Sequence, residues 1–98
     1  MQIKEKKLKR RTIEEFADLY GLTMKVNERK RPEGDSSRYY ASFDGCEIKG
    51  AGVLISTHGN GATQKEAISD YSRKISLQTL VFGASTPNRY EIDVWRLI

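Results

Sequence analysis

The chain has 98 residues and a mass of 11.2 kDa, with 38% hydrophobic and 31% charged residues and a formal charge of +4. That length excludes a second sizeable core, since one domain of this size buries roughly 60 to 70% of the surface its unfolded chain exposes, and the aromatic content argues against disorder. One cysteine, Cys46, excludes an internal disulfide, and with one histidine, His58, leaves too few soft ligands for a zinc-type site, so no metal or cofactor is expected.

Charge is unevenly placed. Residues 1–11 carry Lys4, Lys6, Lys7, Lys9, Arg10 and Arg11 against Glu5, a local +5 that leaves −1 for the remainder. The basicity belongs to this arm, which is expected to be flexible and either solvated or in contact with nucleic acid or an acidic partner. It lacks the apolar stretch of a signal peptide, and no segment approaches the ~20 apolar residues of a membrane span. The expectation is therefore a cytoplasmic protein with no membrane partner.

Thr12 and Glu15 have the spacing of a capping box, and Ile13, Phe16, Ala17 and Tyr20 recur along one face, so a helix is predicted from Thr12 to Tyr20, stopped by Gly21. Leu22 to Lys30 alternates apolar and polar residues, the pattern of a strand with one wet side. It ends in a basic cluster of Lys25, Arg29, Lys30 and Arg31 and a polar loop, Arg31 to Ser37. Arg38 to Lys49 alternates again through Tyr39, Ala41 and Phe43, leaving Tyr40 on the opposite side. This stretch is read as one long strand, bent by a bulge at Gly45 and reversed at Gly50 to Gly52. The alternative is a hairpin at Asp44-Gly45 with a fourth short strand.

Val53 to Thr57 is the next strand, and the chain then turns through His58-Gly59-Asn60-Gly61-Ala62-Thr63 into a helix predicted from about Gln64 to Leu80. The two glycines are read as permitting unusual backbone angles, and Thr63 with Glu66 as a second capping box. A helix start of this kind, with free amides and Lys65 beside it, has the capacity to hold a phosphate or carboxylate. Gly83 is placed at the helix end, and Arg89 to Ile98 reads as a last strand or docked extended tail.

The expected fold is α+β, an α-β-β-β-α two-layer sandwich with an antiparallel three-stranded sheet, both helices on one face and an extended C-terminal tail. Residues 1–11 form the arm, 12–83 the domain and 84–98 the tail.

That order, with the corner Gly59-Asn60-Gly61-Ala62-Thr63-Gln64-Lys65-Glu66-Ala67, resembles the double-stranded-RNA-binding domain, whose corner typically reads G-x-G-x-S-K-K-E-A. The likeness spans roughly Thr12 to Phe82 and is specific in wording only at the corner. It implies RNA contacts from the first helix, the loop between the first two strands and the start of the last helix. The family's paired lysines fall on Gln64 and Lys65, and its later lysine on Ile68. Two of three cations are thus absent, which should weaken duplex binding strongly. A second likeness is to the HicB antitoxins. Phe43-Asp44-Gly45-Cys46 followed by Gly61-Ala62-Thr63-x-x-Glu66-Ala67-Ile68 resembles that family's wording, although Gly50 to Thr57 is inserted and no separate DNA-binding region is present.

The leading expectation is a small non-enzymatic nucleic-acid-binding protein, for structured RNA before DNA, contacting phosphates through Thr63, Gln64, Lys65, Lys25, Arg29, Lys30, Arg31 and the arm residues Lys6, Lys7, Lys9, Arg10 and Arg11. The alternative is a protein-interaction module, antitoxin-like or an inhibitor of an enzyme. A hydrolase built on Cys46 and His58 is the least supported, because nothing in their spacing requires it.

Overall fold

The Thr12 hydroxyl accepts from the Glu15 amide while the Glu15 carboxylate accepts from the Thr12 N–H, the reciprocal box that the spacing predicts. The helix it opens, α1 (Ile13–Tyr20), turns Ile13 and Phe16 into the core and closes on Gly21. The structure is a computed structural model that describes residues 11–30 and 37–98, so Lys6, Lys7, Lys9, Arg10 and Arg31 lie outside the described residues.

After α1 come strands β1 (Met24–Glu28), β2 (Tyr39–Phe43), β3 (Cys46–Gly50), β4 (Val53–Ile55) and β5 (Gly59–Gly61). Helix α2 (Gln64–Ile75) and strands β6 (Thr79–Phe82) and β7 (Tyr90–Asp93) complete the described chain. This is an α+β domain of two helices and antiparallel sheets. Its order departs from the expected α-β-β-β-α. The strands form two sheets, β1-β2-β5 and β4-β3-β6-β7, every pairing antiparallel.

The expected long strand from Arg38 to Lys49 is divided at Asp44-Gly45, where Gly45 takes a φ of 67°. That turn does not fold β2 back on β3. It carries the chain out of the first sheet, where β2 is central, into the second, where β3 lies between β4 and β6. The reversal expected at Gly50 to Gly52 is present: Gly50 faces Val53 and Ile48 faces Ile55 across a two-residue turn.

The second departure concerns the end of α2. Periodicity carried the helix to Leu80, but it stops at Ile75, with Ser76 extended and Leu77 at a φ of 64°. Thr79 to Phe82 is instead an inner strand of the second sheet, with Leu80 and Val81 both fully buried. A strand covered on both sides shows a continuous apolar run, which periodicity alone does not separate from a buried helical segment. Within the tail, Tyr90–Asp93 pairs with β6, and Val94 and Leu97 remain hydrogen-bonded to Gln78 and Ser76.

One apolar cluster joins these parts. Ile13 and Phe16 of α1, Tyr71 and Ile75 of α2 and Phe43 of β2 pack with Ile48, Leu80, Phe82, Ile92 and Val94 of the second sheet and its extension. Phe43 meets a ring from each helix, Phe16 at 6.2 Å and Tyr71 at 5.5 Å between centroids, so both helices reach the same face of the first sheet.

The glycines of the corner serve a different purpose from the one expected. Neither Gly59 nor Gly61 is among the positive-φ glycines. They lie in β5, fully buried, where a Cβ on Gly59 would fall 2.7 Å from the Tyr71 Cα and closer still to the Ala67 carbonyl. A Cβ on Gly61 would lie 2.6 Å from the Glu66 carbonyl carbon. The helix seats directly on strand backbone, an approach only glycine permits. Gly59→Ala should therefore destabilise the fold by about 3 kcal/mol, read as a lowered urea midpoint. Gly50→Ala, where the added Cβ would meet nothing closer than the Ile55 side chain at 3.6 Å, should change it far less. Equal midpoints for the two variants would contradict this packing.

Candidate nucleic-acid interface

Three places in the fold gather the residues that sequence singled out. The first is the start of α2. Thr63 caps it, its hydroxyl accepting from the Glu66 amide at 3.1 Å, but the Glu66 carboxylate reaches past Thr63 to the Ala62 N–H at 3.2 Å. The Ala67 N–H is taken by the Thr63 carbonyl, and the Asn60 N–H by Asp70 at 2.8 Å. The expected row of free amides is thus partly occupied by the chain's own carboxylates. This is the anion preference of a helix start satisfied internally. What remains open is a groove of about 470 Å³ in which Gln64 and Lys65 stand beside Thr12, Glu14 and Ile98. The Ile98 N–H is bonded to the Arg11 carbonyl, so the basic run enters the fold at this groove.

The second place is the helix-free face of the first sheet. Residues opposite one another in register share a face, which puts Lys25 with Ser42, and Asn27 with Tyr40 and Asn60. Arg29 extends the row, its N–H bonded to the Arg38 carbonyl. The Arg29 guanidinium lies over the Tyr40 ring, 4.7 Å from its centroid, donates to the Ser37 carbonyl at 2.7 Å and faces His58 Nε2 at 3.1 Å. Tyr40 in turn meets the His58 ring edge to face at 5.5 Å. Lys74 reaches over from α2 to the His58 carbonyl and to Asp70.

The electrostatics follow from that crowding. Partial burial, then the charges of Arg29 and Lys74, hold the His58 imidazole below its usual value. Because Arg29 is a donor only, the facing Nε2 must be the acceptor, which fixes the neutral ring. Burial alone would push Asp70 up, but the Asn60 N–H, Arg73 and Lys74 outweigh it and hold the carboxyl below the ordinary range.

The third place is a polar cleft of about 490 Å³ beside that face, lined by Lys25, Ser42, Cys46, Thr57, His58 and Ser85 among others. Lys25 is paired with Asp44 at 3.1 Å, with both side chains more than half exposed. Such a pair contributes little and gives way readily to another anion. Cys46 and His58 border the same cleft without forming a nucleophile and base. The Tyr71 hydroxyl donates to Cys46 Sγ at 3.8 Å, and His58 is engaged by Arg29. Burial pushes the Cys46 thiol up to about 11; the Tyr71 bond opposes this and the Glu47 carboxylate adds to it. Among the described residues no group of three or more His, Cys, Asp or Glu is placed to hold a metal ion. No helix among them is long and apolar enough to cross a membrane.

The sequence-selected residues therefore fall into two groups. Gln64 and Lys65 line one groove with Ile98, whose N–H is bonded to the Arg11 carbonyl, while Thr63 caps the helix beside it. Arg29 and Lys25 lie on the helix-free sheet face, with exposed Lys30 just past the end of β1. His58, Lys74 and Asn60 were not selected as binding residues, because the pairing of β2 with β5 that brings them near Tyr40 and Arg29 has no local signal in the sequence. Comparisons with protein-family models, with curated proteins and with solved structures find no match to this chain.

Two measurements check this geometry. His58 is the single histidine, and its folded value is depressed, so its contribution to stability is complete above its unfolded value and is lost as pH falls through 6.5 toward the folded value. The urea midpoint should hold steady above about pH 7, decline toward about pH 5, and lose that decline in His58→Asn. A wild-type midpoint that rises on acidification across this window would reverse the sign. The raised Cys46 value predicts alkylation by iodoacetamide at neutral pH about a hundredfold slower than for an unperturbed thiol. Rapid labelling of the folded protein would show an exposed thiolate instead.

Proposed function

We propose that this chain is a small nucleic-acid-binding protein without catalytic chemistry, acting on structured RNA before DNA through backbone phosphates. The observation that carries the reading is that Lys65 lines the groove at the start of α2 together with Ile98, whose N–H is bonded to the carbonyl of Arg11, the last cation of the arm. Arg11 and Lys65, distant in sequence, are thereby brought to one side of the fold, and residues 1–11 concentrate six cations against Glu5. The likeness to double-stranded-RNA-binding domains supports the same surface, because two of its motif residues, Gln64 and Lys65, line the groove. Ile68 lines it as well, where that family has a lysine. The arm's six cations are well suited to offset this loss.

A second reading, a protein-interaction module, is favoured by a different place. Trp95, Leu77 and Tyr20 are 58%, 64% and 42% exposed and border a groove of about 510 Å³ together with Glu91 to Asp93 of β7, whose described pairing is with β6 alone. An open strand edge beside apolar side chains can accept an extended segment of another protein.

Titration of a blunt RNA duplex, followed by fluorescence anisotropy at several salt concentrations, separates the two. Binding should be tight at low salt and fall linearly on a log–log plot, with Lys65→Ala reducing the slope by about 1 and deletion of residues 1–10 reducing it by several units. No binding at low salt removes the nucleic-acid reading. A stoichiometric protein that co-purifies from nuclease-treated lysate and is lost in Trp95→Ala would then establish the second.

A further inference from the structure

We propose that the helix-free face of the β1-β2-β5 sheet is a platform for an unpaired RNA nucleotide, whose base stacks on the Arg29 guanidinium that Tyr40 and His58 hold in place. The proposal rests on the nucleic-acid reading above and adds a site that the groove at α2 does not contain.

Fixation makes the argument. Three planar groups from separate segments, the end of β1, the middle of β2 and the lead into β5, are in mutual contact on one side of the sheet. Arg29 is not a free surface arginine. Its guanidinium is anchored by the Ser37 carbonyl and faces the His58 ring nitrogen, so its plane is set before any ligand arrives. A preset guanidinium and aromatic rings are what an unstacked base requires, since stacking on such groups contributes sequence-tolerant affinity. His58 remains a neutral ring here, which keeps the cluster from carrying two adjacent cations.

The surroundings complete the site. Asn27, directly opposite Tyr40 in register and exposed, offers an amide donor and acceptor to a base edge. Lys25 stands two residues along the same face, and the hydroxyls of Ser42, Thr57 and Ser85 line the adjoining cleft, with room for the sugar and phosphate. A regular duplex cannot use this face, because its bases are stacked on one another and show only their edges. A nucleotide in a loop or bulge can.

The test compares two RNA probes that differ only in an internal unpaired loop, one position of which carries 2-aminopurine. Wild-type protein should bind the looped probe about ten- to a hundredfold more tightly than the blunt duplex, and binding should quench the 2-aminopurine fluorescence. Tyr40→Leu should abolish the preference and the quenching while Tyr40→Phe retains both. Lys65→Ala should weaken the two probes alike. Equal affinity of the wild type for both probes, or a preference untouched by Tyr40→Leu, overturns this proposal and leaves the phosphate-binding reading standing. Failure to bind either probe at low salt removes that reading itself. Should Tyr40→Leu fail to fold, the quenching by wild-type protein decides alone: a looped base that stays bright on the bound protein is not stacked.

Discussion

The contact between α2 and β5 is the constraint on which the rest of the structure depends. Because Gly59 and Gly61 present no side chains, Ala67 and Tyr71 of the helix rest on strand backbone, and the helix sits closer to the sheet than any other residue would allow. Several features follow from that closeness. The Asp70 carboxylate reaches the Asn60 N–H, so β5, which among the described residues pairs only with β2, has one of its backbone donors satisfied by the helix. Tyr71 penetrates far enough to meet both Phe43 in the first sheet and Cys46 at the start of the second. The start of α2 comes to border one groove with the start of α1 and Ile98.

The turn at Asp44-Gly45 is the complementary device. A chain that folded back there would close a small hairpin and leave α2 covering an ordinary sheet. By passing forward from β2 to β3 it instead gives two sheets a common segment. Phe43 and Cys46, on either side of the turn, both touch Tyr71. One buried tyrosine therefore holds the junction between sheets. This also explains the inert thiol: Cys46 sits at a seam, where burial disfavours its charged form, and its neighbour is a hydroxyl.

How legible this was in the sequence depended on whether the signal was local. Thr12 with Glu15 and the alternation from Leu22 to Lys30 report on interactions within a few residues, and both elements appear where they were expected. The extra sheet was not legible. The stretch from Thr79 to Phe82 has no alternation to read, because both of its faces are covered, and it follows a true helix without a proline or glycine between them. Gly59-Asn60-Gly61 was visible as unusual, but the cause was mistaken. A glycine required for a neighbour's approach looks identical, in sequence, to one required for a backbone angle. Among the candidate site residues the same division holds. Lys65 and Thr63 belong to a local motif and lie together, whereas the contact of Arg29 with His58 spans 29 positions and arises only from the pairing of β2 with β5.

The distribution of charge then assigns different physical tasks to different parts of the chain. Within the fold, cations are mostly engaged: Lys25 with Asp44, Lys49 with Glu91, Arg73 and Lys74 with Asp70. Paired charges of this kind generate little long-range field, because each is nearly cancelled a few ångströms away. Attraction over distance must therefore come from the arm, whose six cations face only Glu5. What the folded part adds is shape, since salt-screened attraction does not discriminate between one polyanion and another. Arg29 illustrates the exchange. Locked against Ser37, Tyr40 and His58, it gives up the mobility of a free surface arginine and gains a fixed plane, which is what the proposed stacking of a splayed base requires.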